Sequence, residues 1–150
     1  MRSMKSCLVL ILAPVIAAGA YAQGAGDAIV KLPDQIEWKA AAVSPGPSTA
    51  ILYGDPSKPG VYVTRTKFPA GFKLGPHTHS EEWRTVVVLS GTIHYGLGDK
   101  WDDSKLQLRP AGSFFSEAKT VPHFVWAKDG EVIIQTTAMG PSGTNMIAQK

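Results

Sequence analysis

An all-β domain of short strands is the fold class this sequence predicts, and three observations predict it. The 150 residues include 15 Gly and 11 Pro, more than the roughly 12% that these two residues usually contribute together, and they are spread along the chain. The pieces between them are rich in β-branched and aromatic residues and recur about every ten residues, the rhythm of a sandwich or barrel. Beyond the first 22 residues no stretch of twelve keeps helical periodicity. The length suits one domain. With 44% hydrophobic and 18% charged residues, the composition excludes a disordered chain, which needs low hydrophobicity and high charge, and a coiled coil.

The N-terminus reads as an export signal over residues 1–22. Arg2 and Lys5 precede the apolar run Cys7–Ala18, and Ala20-Tyr21-Ala22 fits the small-x-small cleavage rule, which puts the mature start at Gln23. The run is short for a membrane span and carries Pro14. Secreted or periplasmic protein is expected, with no membrane association after cleavage. The one cysteine, Cys7, leaves with the signal, which excludes disulfides and a cysteine nucleophile in the mature chain. Removing Arg2 and Lys5 from the 15 basic residues leaves 13 against 12 acidic ones. That near-balance, with no basic cluster, argues against a nucleic-acid partner.

Residues 23–35 read as a flexible lead-in with a short strand near Ile29–Leu32. Strands are then expected over Ile36–Ala41, Ala50–Tyr53, Val61–Phe68, Thr85–Leu89, Thr92–Leu97, Leu106–Leu108, Ser113–Phe115, His123–Ala127 and Val132–Thr137. The barrel spans 36–140 and residues 141–150 form a tail. Trp83, Phe114, Phe115, Phe124 and Trp126 are expected in the core or a pocket wall. Trp38 and Trp101 are expected at strand ends, in Trp101's case within a solvated turn at 100–103.

Histidine occurs four times, at 77, 79, 94 and 123. His77 and His79 are two apart, so on an extended segment they share a face and can converge on one ion. By itself that spacing also suits a solvated surface pair. His94 reads as a rim or surface histidine.

The longer pattern Gly71-x5-His77-x-His79, an acidic pair, a valine run and Gly91 resembles the first motif of the cupin superfamily. Pro110-Ala111-Gly112 and Pro122-His123 resemble the second. Phe68-Pro69-Ala70-Gly71, Val88-Leu89-Ser90-Gly91-Thr92 and Arg109-Pro110-Ala111-Gly112-Ser113-Phe114 resemble single-domain bacterial cupins of the ChrR-like kind over residues 36–140. The resemblance implies a jelly-roll β-barrel with a divalent transition metal (Zn, Fe, Mn, Ni or Cu) held at His77, His79 and His123. The motif's glutamate falls at 84, where this chain has Arg84. Glu82 is then the candidate fourth ligand, and Arg84 becomes a candidate for gripping an anionic substrate through its guanidinium fork. The alternative for Arg84 is an outward position or a pair with Glu81 or Glu82.

An exported cupin acting on a small organic molecule, by oxidation with dioxygen or by isomerisation, is the function the resemblance implies. The alternatives are a non-catalytic ligand-binding or metal-sensing module, and a barrel with no occupied site. A small-molecule partner and a homodimer, through exposed strand edges, complete the expectation.

Overall fold

The computed structural model describes residues 28–42 and 44–149. The export segment, with Cys7 and the cleavage site before Gln23, lies outside the described residues. Eleven strands follow one another: β1 (Lys39–Ala40), β2 (Ser48–Tyr53), β3 (Gly60–Phe68), β4 (Lys73–His79), β5 (Arg84–Ser90), β6 (Thr92–Leu97), β7 (Gln107–Pro110), β8 (Phe114–Ser116), β9 (His123–Trp126), β10 (Val132–Gly140) and β11 (Thr144–Met146). Two 3-10 turns, Pro33–Gln35 and Asp103–Lys105, are the helical elements among the described residues.

The strands form two antiparallel sheets. One has the order β1-β2-β3-β10-β5-β8 and the other β11-β4-β9-β6-β7. β10 is the spine of the first. It pairs with β3 from Val132↔Phe68 to Gly140↔Gly60, and with β5 on its other side. Alternation along β10 buries Val132, Ile134, Thr136 and Ala138, as a strand with one face inward must. In the core they join Phe68, Val86, Val88, Ile93, Tyr95, Val125 and Ala127. Burying an aliphatic or aromatic side chain of this size contributes about 1.5–3 kcal/mol, so the inner faces hold the sheets together. This is the double-sheet cupin barrel.

Four local expectations need correcting. Residues 29–32 form no strand, and Ile29, Val30 and Leu32 are more than half exposed; β-branched residues without a partner strand leave their ladder unpaired. The strand expected over 36–41 shrinks to Lys39–Ala40. β4 starts at Lys73, ahead of the His pair, although Gly75 and Pro76 look like punctuation. The pairing of β4 with β9 is irregular between Leu74 and His77, the kind of place where a strand tolerates a residue without an N–H. The supposed tail contributes β11, which pairs Thr144 with His79 and Met146 with His77.

The aromatic residues divide differently from expectation. Phe115 packs on the core, while Phe114, its neighbour on the opposite face, is 68% exposed. Trp83 is half-exposed. Phe124 is fully buried, yet it packs on Trp101 at 4.9 Å between centroids, away from the barrel interior.

Gly91 closes the tight β5–β6 turn with φ +74°, and a Cβ there would meet the Glu131 carbonyl oxygen at 2.3 Å. We expect Gly91→Ala to cost about 2–4 kcal/mol, the sum of left-handed strain and a backbone clash. Gly112 has φ +88° but open space around it, so Gly112→Ala should cost only about 1–2 kcal/mol. Urea unfolding of the two variants checks the order.

Candidate metal centre

β4 and β9 lie side by side with His77 opposite His123. His79, two residues on, shares the inward face of His77. All three imidazoles are buried, at 2%, 5% and 1% exposure. Their ring centroids are 4.2–5.1 Å apart, and one nitrogen from each lies within 4.8 Å of the others. Ligands on a tetrahedral ion with bonds of about 2.0–2.1 Å are about 3.4 Å apart. Closing this set on one ion therefore takes side-chain shifts of about an ångström.

The backbone fixes which nitrogen is offered. His77 Nδ1 donates to the Gly75 carbonyl at 2.9 Å, His79 Nδ1 to Gly143 at 3.2 Å and His123 Nδ1 to Val121 at 3.0 Å. A carbonyl oxygen only accepts, so each neutral ring carries its proton on Nδ1 and presents the Nε2 lone pair to the centre. Such partners orient metal-bound histidines. His123 Nε2 is buried with no hydrogen-bond partner, an orphan of the kind an ion would satisfy. The residues present fit a divalent transition metal.

Protons are held off two of the rings, His77 and His79. Burial, helped by the charge of His123, pushes the His77 imidazole down to about 4. Burial and the Arg84 guanidinium push His79 down as well.

A carboxylate stands beside these lone pairs, and it is not the one expected. Glu117, just after β8, has its carboxylate oxygens 3.5 Å from His79 Nε2 and 3.4 Å from His123 Nε2. Two lone-pair donors and a carboxylate aimed at one point repel unless a cation lies among them. Glu117 lies across from Arg84: Thr85 pairs with Ser116, and the Glu117 N–H donates to the Arg84 carbonyl at 3.0 Å. Arg84 Nε donates to Glu117 Oε2 at 2.5 Å, and Nη1 to Glu81 Oε1 at 3.1 Å and Tyr62 Oη at 3.3 Å. Glu81, fully enclosed, also accepts from Tyr62 Oη at 2.6 Å and Ser142 Oγ at 2.9 Å. Burial would raise both carboxyls. For Glu117, Arg84 and the imidazoles outweigh that, and for Glu81 the Tyr62 and Ser142 hydroxyls and Arg84 do, so both lie below the usual carboxylate range.

Two expected site residues are therefore placed elsewhere or engaged otherwise. The Glu82 side chain is 77% exposed and pairs with Lys119, away from the histidines, because it falls in the connection before β5 with its side chain outward. Arg84 turns inward and lines the cavity, but its fork is already given to Glu117, Glu81 and Tyr62, which leaves little of it for a substrate carboxylate. His94 lies outside the cluster, as expected of it, but buried instead of on the surface, with Nε2 2.7 Å from Asp129. Phe68, Leu74, Ile93, Phe115, Val125 and Ile134 line the cavity of about 160 Å³ over the histidines; Phe115 is a wall as expected, whereas Phe124 faces away.

Sequence reasoning missed Glu117. The signal available was an acid one residue past the Phe114–Ser116 strand, in a chain whose motif glutamate had become a cation.

An antiparallel two-sheet barrel with three convergent imidazoles defines a cupin-type histidine centre. The chain belongs to the DUF4437 family, a domain of unknown function, whose model matches residues 25–137. Comparison with curated protein sequences returned no match. Among solved structures, the polyketide cyclase RemF from Streptomyces resistomycificus is similar at 16% identity and TM-score 0.60, covering 76% of this chain and 82% of that one. An RmlC-like cupin protein from Ralstonia eutropha is similar at 20% identity and TM-score 0.55, covering 74% and 68%. Salicylate 1,2-dioxygenase from Pseudoaminobacter salicylatoxidans gives 15% identity and TM-score 0.56, covering 73% of this chain and 31% of that one. At these identities the likeness is one of fold.

Two outcomes follow from the site's electrostatics. Unfolded His77 takes a proton near the ordinary imidazole value of 6.5, whereas in the fold it does so only near 4. Between those values the unfolded chain binds more protons, so metal-free protein should lose stability as pH falls through the window, by up to about 3 kcal/mol from this residue. Thermal melts from pH 7 to 4 should show the loss, and His77→Phe should reduce it to the share that His79 contributes. Arg84→Met strands two buried carboxylates and should cost about 3–5 kcal/mol at pH 7, with the deficit shrinking in acid as they protonate; urea titrations at two pH values read this.

Proposed function

We propose that this protein is an exported cupin that binds a divalent transition metal through His77, His79 and His123, with Glu117 as the neighbouring carboxylate, and acts on a small organic molecule by oxidation with dioxygen or by isomerisation. The observation that carries the reading is the set of three Nδ1-anchored imidazoles around the partnerless His123 Nε2. The sequence resemblance to ChrR-like cupins and its N-terminal export signal support the cupin class and the location.

Bound there, the metal would supply Lewis-acid polarisation of a substrate oxygen. The chain's residues do the rest. The carbonyls of Gly75, Val121 and Gly143 hold the imidazoles in register. Glu117 offsets the cation's charge and is kept ionised by Arg84. The apolar wall of Phe68, Leu74, Ile93, Phe115, Val125 and Ile134 limits water, which strengthens every charge interaction inside, and admits a compact, mostly apolar substrate. A homodimer through strand edges remains part of the proposal.

One observation favours a second reading, a non-catalytic binding or sensing module. Glu117 is held by Arg84, and Glu81 by Tyr62, Ser142 and Arg84, which leaves neither acid free for proton transfer.

Elemental analysis of the purified protein tests the common core. Stoichiometric metal is expected, lost in His77→Ala, His79→Ala and His123→Ala and retained in His94→Ala and Glu82→Gln. Glu117→Gln should weaken metal affinity about 10–100-fold. Metal-free protein, or metal unaffected by the three histidine variants, would overturn the reading. Turnover of a phenolic or carbonyl panel by the loaded protein separates the enzyme from the binding module.

A further inference from the structure

A second concave site lies one ring away from the histidines. Tyr95 stacks on His123 with centroids 5.1 Å apart and planes 13° from parallel. That leaves its other face for Arg109, whose guanidinium carbon sits 3.6 Å from the Tyr95 centroid and 4.0 Å from that of Phe115. The pairs Ile93↔Arg109 and Tyr95↔Gln107 put Arg109 and Gln107 on the inward face of the β6–β7 ladder. There a cavity of about 220 Å³ opens between Tyr95, Leu97, Lys105, Gln107 and Arg109.

The charges in this cavity are unbalanced. Arg109 Nη1 is buried with no hydrogen-bond partner. Among the described residues neither Arg109 nor Lys105 forms an ion pair. Glu117 lies near enough for its field to reach Arg109, but its carboxylate is taken by Arg84. A stacked guanidinium with an unused donor, a second cation at the rim, one amide, and an aromatic and aliphatic wall are complementary to a flat molecule with one carboxylate.

We propose that the β6–β7 cavity binds a small, flat monocarboxylate. The Arg109 fork takes the two oxygens, Lys105 supplies a second positive charge, Gln107 donates from its amide, and Leu97 with the edge of the Tyr95 ring holds the apolar body. The site stands whether or not a metal binds next door. Its occupant would, however, press on the ring that stacks against His123.

Benzoate is a suitable probe, titrated into the full chain by calorimetry and by NMR of the His123 ring signals. Saturable one-to-one binding is expected, with a shift at His123, and benzoate should bind more tightly than acetate or inorganic phosphate. Arg109→Gln should weaken it at least about ten-fold, and Arg109→Lys nearly as much, because charge without the fork is insufficient. Lys105→Ala, an exposed position, should weaken it several-fold and keeps the test decisive if the Arg109 variants fail to fold. His77→Ala should leave it intact. Absence of saturable binding, tighter binding of phosphate, equal affinity in Lys105→Ala, or loss in His77→Ala with retention in Arg109→Gln would each overturn the proposal, the last by placing benzoate in the metal cavity.

Discussion

The interaction on which the rest of the site depends is the cross-strand pair of Arg84 and Glu117. It joins β5 to the end of β8 through a side-chain bond of 2.5 Å and a backbone bond of 3.0 Å. It also lets two acids, Glu81 and Glu117, be buried inside the barrel. Each would be prohibitive alone, because an unpaired buried charge costs far more than a pair. With neutral imidazoles the buried charges leave an excess of one negative, and a divalent cation would turn that into an excess of one positive. The cavity is thus poised to hold a cation, and afterwards to accept one negative charge.

A second layer of dependence is the backbone. The three imidazoles are aimed by carbonyls from three separate places: Gly75 within β4, Val121 ahead of β9 and Gly143 ahead of β11. Their mutual geometry therefore reports the docking of β4, β9 and β11 in one sheet, not the preferences of any one segment. The apolar inner faces supply most of the free energy for that docking.

The fold was legible in the sequence because its signals are local. Gly and Pro punctuation and β-branched runs marked β3, β5, β6, β9 and β10 closely. Two strands were obscured for physical reasons. β4 contains Gly75 and Pro76, which read as a turn until the irregular pairing with β9 accommodates them. β11 has three exposed residues, so no alternation distinguishes it from a tail. The histidines were legible from their spacing and the motif. The carboxylate was not, since Glu117 gains its meaning from register: it lies across a strand from position 84, some thirty residues away along the chain, and no one-dimensional spacing carries that. Glu82 was the nearer acid in sequence and the more distant in space, because side chains before β5 turn outward where Glu82 falls and inward at Glu81 and Arg84.

The link between β10 and β11 carries one more consequence. Ser142 and Gly143 both donate to Glu81, while the Gly143 carbonyl accepts from His79. One short loop thus touches an acid and a histidine of the buried cluster that are two positions apart on another segment. Its length is therefore set by the distance between those two partners, and a relative that gains or loses a residue there cannot satisfy both. Within the family, insertions at this loop should travel with replacements at 79 or 81, so that a gap in one part of an alignment foretells a changed histidine or glutamate about sixty columns away.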